Sequence, residues 1–282
     1  MKRMIVQDSS NAERGREGVF CLIIPTYNEG ENVESLVKRI EQVELKLPFQ
    51  FNLIFVDDNS KDGTAEVIKA LMQENRWIKL IQRPKPTGLG SAYLDGFAYA
   101  IDKFNADFVG EMDADLQHPP ETLVDMCNTI VGRKVDVVLG SRYVPGGGAS
   151  GWSLGRRIIS RGANSLSKIF LRVPVADSTT GFRIIRASTA RSLFDHDLSA
   201  KGYAFQVESL YVYKQNGARF AEVPYNFETR KAGKTKLDWK EIFRFAGVTI
   251  KTGIVGVRRK KEGSVDLSDN KSALSEPSPV TE

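Results

Sequence analysis

Short apolar runs alternate with stretches of helical periodicity along most of this 282-residue chain. Val19 to Ile24 is an unbroken apolar run of strand length, followed by Glu31 to Val43, where Val33, Leu36, Val37 and Ile40 recur at helical spacing. Phe51 to Val56 predicts the next strand, and Asp62 to Arg76 the next helix, with Thr64 in its first turn. Trp77 to Gln82, Phe108 to Met112 and Val135 to Leu139 predict further strands, separated by helices near Gly90 to Asp102 and Pro119 to Val131. Strands alternating with helices through short links predict an α/β fold: a mostly parallel central sheet with helices on both faces.

The character changes beyond Gly146-Gly147-Gly148. A basic helical stretch, Trp152 to Leu171, leads through Gly181 into a mixed segment that reaches Val223. A last helix, within 238–261, is amphipathic and ends in Arg258-Arg259-Lys260-Lys261. Residues 1–18 and 262–282 are polar and poor in aromatics, the composition of disordered tails. One domain, 19–237, is therefore expected between the tails, with the basic helix appended. No internal repeat interrupts this order.

Composition alters the picture little. Hydrophobic content of 41%, charged content of 27% and a net charge of +5 are those of an ordinary globular chain with a mild preference for anions. Cys21 and Cys127 are too few for a disulfide framework or a zinc site and read as buried thiols in a reducing compartment. The N-terminus lacks an apolar signal-peptide core, and no stretch reaches the roughly 18 apolar residues of a membrane span. A cytosolic chain is expected.

In parallel sheets, ligands bind beyond the carboxyl ends of the strands. Three loops there are unusually polar: Pro25-Thr26-Tyr27-Asn28-Glu29, Asp57 to Thr64, and Glu111-Met112-Asp113-Ala114-Asp115-Leu116-Gln117-His118-Pro119. Asp113 and Asp115, two residues apart after a strand, suit a hard cation such as Mg²⁺ or Mn²⁺, with Gln117 adding an amide oxygen. The same acids also suit a helix cap ahead of Pro119. Capping by Ser60 or Asp62 explains part of the second loop, but not the adjacent acids Asp57 and Asp58, whose charges repel. Tyr27 and Glu29 suit a nucleobase and sugar. Basic residues cluster at Arg142, at Arg156, Arg157 and Arg161, and at Arg230, Lys231, Lys234 and Lys236, where phosphate oxygens would need them. Gly88-Leu89-Gly90 is too short for a dinucleotide fingerprint.

In order and spacing, these motifs resemble the family-2 glycosyltransferases of the GT-A fold, and within them the dolichyl-phosphate mannose synthases. The resemblance runs from about Val19 to Lys251 and includes Ile24 to Glu29, Val56 to Ser60, Gly88 to Gly90, Met112 to Pro120, Gly140-Ser141-Arg142-Tyr143 and Thr180-Gly181-Phe182-Arg183. It implies a Rossmann-like nucleotide-binding half, GDP-mannose as donor, and dolichyl or another polyprenyl phosphate as acceptor. Carried over by position, Pro25, Tyr27, Glu29, Val56 and Asp58 would hold the guanosine. Asp113, Asp115 and Gln117 would hold the divalent cation, with Ala114 beside the diphosphate. Arg230 and Lys236 would close over the donor phosphates, and Arg142, Arg156 and Ser160 would receive the acceptor phosphate. Arg157 and Arg161 offer the same acceptor spacing one register on. Asp115 and Arg142 would then be the catalytic residues.

A phosphate monoester is largely dianionic near neutral pH, its second pKa being about 6, so it needs no general base to become a nucleophile. A single inverting displacement follows, and Glu208 takes a structural or positioning role. Members of the family often carry C-terminal transmembrane helices, from which this chain departs. Ile242 to Val257, interrupted by Arg244 and Lys251, suits either an interfacial helix or an ordinary helix packed on the sheet. Peripheral attachment to the cytoplasmic face of a membrane, or to a membrane-embedded partner subunit, is expected: endoplasmic reticulum in a eukaryote, plasma membrane in a prokaryote. The competing readings are a UDP-glucose-dependent dolichyl-phosphate glucosyltransferase and an inactive nucleotide-binding subunit. No nucleic-acid partner is expected, because the basic residues lie beside acidic loops.

Overall fold

The computed structural model describes residues 17–199, 202–228 and 239–260. Most of both predicted tails, and Arg230, Lys231, Lys234 and Lys236, lie outside the described residues. In chain order the elements are β1 (Val19–Thr26), α1 (Gly30–Glu44), β2 (Gln50–Asp57), α2 (Thr64–Glu74), β3 (Ile78–Gln82), α3 (Leu89–Phe104), β4 (Phe108–Glu111), α4 (Thr122–Gly132) and β5 (Val137–Ser141). There follow β6 (Gly148–Ala149), α5 (Leu154–Leu171), β7 (Arg183–Arg186), the short α6 (Ala187–Ala190), α7 (Gly202–Gln215), β8 (Phe220–Pro224), β9 (Asn226–Phe227) and α8 (Trp239–Val255).

Seven strands form the main sheet in the order β3-β2-β1-β4-β7-β5-β8. All its pairings are parallel except those of β7, which runs antiparallel between β4 and β5. The mostly parallel α/β sheet was legible from the pattern, but the insertion of β7 was not. Arg183–Arg186 is only four residues long and carries charge at both ends.

Successive side chains of a strand point to opposite faces, so a strand covered on both sides is apolar throughout. β1 shows this directly. Phe20, Leu22 and Ile24 enter one core with Val33, Leu36, Val37 and Ile40 of α1, while Cys21 and Ile23 enter a second core with Tyr93 and Phe97 of α3 and Phe205 of α7. Each fully buried Leu, Ile or Phe is worth about 1.5–3 kcal/mol over exposure, which fixes the strand ends from which the polar loops leave.

The last helix lies on α5 and α7. A Cβ at Gly253 would come within 2.6 Å of the Phe170 carbonyl oxygen, so glycine there lets α8 press closely onto α5. Phe245, Thr249 and Thr252 face inward, whereas Phe243, Ile254 and Val255 remain exposed, as do Leu154, Ile158 and Ile169 of α5. The helix therefore packs on the domain and still presents apolar side chains outward. Beyond it, the amides of Asp197 and Lys260 donate to the carbonyls of Arg258 and Asp195, both at 2.8 Å, tying the basic run to the loop before α7. Among the described residues no helix is long and apolar enough to cross a membrane.

Candidate active site

The loops after β1 and β2 are sewn together. Asp57 is wholly buried; its carboxylate accepts from Thr26 Oγ1 at 3.1 Å and from the Ser60 amide at 3.0 Å. Asn28, at a left-handed φ of 56°, donates its amide to Ser60 Oγ at 2.9 Å and accepts from the Lys61 amide at 2.9 Å. Asp62 accepts from the amides of Gly30 and Thr64, both at 3.1 Å, so one carboxylate caps the starts of two helices. The capping expected of Asp62 is present; Ser60 instead bridges the two loops.

Asp58, by contrast, faces a partner that the pattern did not reveal. Arg83, itself buried, donates Nε to Asp58 Oδ1 at 2.6 Å and pairs with Asp95 at 3.1 Å. The Gly88 amide donates to the other Asp58 oxygen at 3.2 Å, and the Gly88 carbonyl accepts from Arg83 Nη2 at 3.2 Å. Asp58 thus organises the Gly88-Leu89-Gly90 turn. Tyr27 is 46% exposed, and Pro25 and Glu29 are half-buried at the same loop; Glu29 accepts from Asn32 Nδ2 at 2.7 Å. Val56 departs from expectation. Its side chain lies wholly in the second core, because the pleat turns it away from the loop, so it supports the site from beneath and offers no side-chain contact to a nucleoside.

After β4 the chain turns sharply. Leu116 adopts a left-handed φ of 62°, which costs a non-glycine residue about 1–2 kcal/mol. The turn lets Asp115 Oδ1 accept from the Gln117 amide at 3.1 Å. Gln117 Nε2 donates to the Glu228 carbonyl at 3.1 Å and the Glu228 amide donates back to the Gln117 carbonyl at 3.0 Å, which ties this loop to the end of β9. Asp113 has a 42% exposed side chain, Asp115 and Ala114 are buried, and the Asp113 amide donates to His118 Nδ1 at 3.2 Å. His118 is stacked on Phe182 at 5.0 Å, and burial pushes its pKa down to about 4, so near neutrality it is an acceptor for that amide. Two carboxylates and an amide oxygen on one loop are oxygen donors of the kind a hard divalent cation takes.

The expected basic residues separate into two kinds. Arg142 is buried and bidentate: its Nε and Nη2 donate to the two Asp177 oxygens, both at 2.7 Å, and Nη2 also reaches Thr179 Oγ1 at 2.9 Å. Its charge is therefore matched inside the protein; Nη1 has no hydrogen bond to another described residue. Arg156 is half-buried over the Trp152 ring at 4.3 Å, and Ser160 accepts from the Tyr143 hydroxyl at 2.7 Å. Arg157 and Arg161 point outward. The rotation of α5 thus turns Arg156 and Ser160 toward the cavity and leaves Arg157 and Arg161 exposed. Arg142, Arg156 and Ser160 line one cavity of about 330 Å³ whose other walls include Trp152, Ile159, Leu166, Tyr203 and Phe245. Glu208 accepts from the Ser199 amide at 2.6 Å, in keeping with a structural role.

Known proteins place this geometry. The chain matches the family described as glycosyl transferase family 2 over residues 21–194. It is 35% identical to an undecaprenyl-phosphate mannosyltransferase of Micrococcus luteus over 215 residues, 76% of this chain and 86% of that one. It is equally 35% identical to a polyprenol monophosphomannose synthase of Mycolicibacterium smegmatis over 246 residues, 86% of this chain and 90% of that one. Among solved structures, it resembles a glucosyl-3-phosphoglycerate synthase of Mycobacterium tuberculosis with Mn²⁺, UDP and product (TM-score 0.61, 17% identity, 87% of each chain). It also resembles a mannosyltransferase of Pyrobaculum calidifontis with GDP-Man and Mn²⁺ (TM-score 0.52, 16% identity, 73% of this chain and 54% of that one). These two likenesses establish the GT-A fold. The chain belongs to glycosyl transferase family 2.

Proposed function

We propose that the protein transfers mannose from GDP-mannose to a polyprenyl phosphate in a cation-dependent, inverting reaction. The observation that carries this reading is the cavity under α5 and α8, in which Arg142, Arg156 and Ser160 meet apolar walls. A phosphate group joined to a hydrocarbon is the ligand such a mixed surface fits. The mannosyltransferase relatives act on ligands of this class by name. Their names support polyprenyl phosphate as the class, without singling out dolichyl phosphate.

Tyr27 and Glu29 would take the guanosine, with Pro25 beside them and the turn at Gly88 held in place by Asp58. Asp113, Asp115 and Gln117 would hold a divalent cation. That cation supplies neutralising charge to the donor diphosphate and its leaving group. Arg156 and Ser160 would orient the acceptor phosphate, and Arg142 Nη1 would contribute a third donor. Because the acceptor is already an anion, no side chain needs to remove a proton. Glu228, hydrogen-bonded to Gln117, is the last described residue before the segment carrying Arg230 and Lys236, which we assign to the donor phosphates. The exposed Phe243, Ile254 and Val255 with the exposed Arg258, Arg259 and Lys260 support peripheral contact with an anionic membrane.

The test is incubation with radiolabelled GDP-mannose or UDP-glucose, each with dolichyl or undecaprenyl phosphate and Mg²⁺ or Mn²⁺. Label from GDP-mannose should enter the organic phase. Label entering only from UDP-glucose, or not at all, would overturn the proposal.

A further inference from the structure

Beneath the carboxylate loop lies a polar side chain that the fold does not use. Gln206 of α7 is 2% exposed, and neither Oε1 nor Nε2 has a hydrogen-bond partner among the described residues. Native proteins pair the large majority of such groups, and an orphan commonly awaits a water or a ligand. Gln206 has neighbours on two sides. On one is the wholly buried Glu111, whose two carboxylate oxygens are likewise without a hydrogen-bond partner among the described residues. On the other is Gly181, where an added Cβ would lie 3.3 Å from Gln206 Nε2 and 3.7 Å from Asp113 Oδ1. Gly181 is not among the glycines with positive φ, so its backbone does not require glycine. What glycine provides there is space, faced by both a buried amide and a carboxylate assigned to the cation.

We propose that Gln206, through the space left by Gly181 beside Asp113, reads a hydroxyl of the donor hexose and so helps to set which sugar is accepted. A hydroxyl donates once and accepts as well, and the amide offers one partner for each. The diphosphate would sit at the adjacent carboxylates, which brings the sugar to the same floor. This inference rests on the donor placement proposed above.

The experiment compares the wild-type protein with Gln206→Leu and Gly181→Ala. Calorimetry with Mn²⁺ measures affinity for GDP and for GDP-mannose, and kcat/KM is measured for GDP-mannose and its monodeoxy-mannose analogues. Both variants should bind GDP as the wild type does and lose about tenfold or more in GDP-mannose affinity. One deoxy donor should be poor for the wild type yet carry little further penalty in Gln206→Leu, while the other penalties persist. Identical responses of wild type and Gln206→Leu to every deoxy donor, or parallel loss of GDP and GDP-mannose binding, would overturn the proposal and assign Gln206 to the Glu111 cluster. If Gln206→Leu does not fold, Gly181→Ala decides, since it fills the space and keeps the amide. Should the wild type use a different nucleotide sugar, the donor reading fails separately, and the same series with that sugar tests Gln206.

Discussion

The two sides of the site are built on opposite plans. On the side we assign to the donor, the loops after β1, β2 and β4 are fixed by buried polar groups: Asp57 under Ser60, Asp58 with Arg83 and Gly88, and His118 under Asp113. On the side we assign to the acceptor, the walls include Trp152, Ile159, Leu166 and Phe245, and α5 and α8 keep apolar side chains exposed on their outer faces. A small polar ligand reacting at one atom needs donors held to fractions of an ångström. A long hydrocarbon needs area and tolerance. The charged anchor common to both plans is Arg142, which lines the acceptor cavity yet is locked by Asp177 in the same rigid manner as the donor loops.

This contrast can be broken at several points. Asp115→Ala removes a proposed cation ligand and should cut transfer by about 10³-fold or more while circular dichroism stays native. Near-normal turnover with cation present would remove the donor side from the chemistry. Chelation should mimic the variant and be reversed by Mn²⁺.

Asp177→Asn leaves Arg142 buried without its countercharge and should destabilise the fold by about 3–5 kcal/mol in denaturant titrations. The pair also sets an acid limb. Burial alone would raise the Asp177 pKa, but the Arg142 charge and hydrogen bonds more than offset it and hold the carboxyl below its ordinary value. The unfolded chain therefore takes up a proton first as pH falls. Stability present above the ordinary carboxyl range is lost as pH drops through the lower folded value, and Asp177→Asn should flatten that limb.

Arg83→Leu should weaken GDP binding by about tenfold through the loosened Gly88 turn, leaving acceptor KM unchanged. Equal change in both would contradict the division between sides. Arg156→Gln should do the reverse, raising acceptor KM by about five- to tenfold with donor KM constant. The smallest effect belongs to Phe243→Ser combined with Ile254→Ser. Sedimentation with anionic vesicles should fall a few-fold, while stability moves by no more than about 0.5 kcal/mol per site.

The polar loops were legible because unbroken apolar runs of strand length lead into Asp57-Asp58 and Asp113-Ala114-Asp115, a pattern that continuous burial and loop polarity make visible. What joined them was not. The partner of Asp58 is Arg83 and that of Arg142 is Asp177, contacts made across the folded sheet that no local periodicity encodes. An Arg directly after β3 and an Asp in Val175-Ala176-Asp177 were the available signals, and neither stands out without the topology. Val56 lies in a recognisable motif, but the pleat points its side chain into the core. Which of Arg156 and Arg157 faces the cavity likewise depends on the rotation of α5 about its axis. For the last helix, the sequence left an interfacial helix and a helix packed on the sheet equally open; α8 packs on α5 and α7 and leaves Phe243, Ile254 and Val255 exposed.

The antiparallel strand β7, placed between β4 and β5, has a consequence for the growing chain on the ribosome. Once Glu111 has emerged, β3, β2, β1 and β4 can assemble as a parallel half-sheet. Its β4 edge then stays unpaired until Arg183–Arg186 is made, after α4, β5 and the whole of α5. For that interval the nascent protein exposes a strand edge beside a finished donor half, the state most open to mispairing with a neighbouring chain. The arginines at both ends of β7, and a β4 of only four residues, keep that edge short and its partner charged. The same small strand that lies between the Asp113 loop and Arg142 in the finished sheet is thus the one that closes this edge.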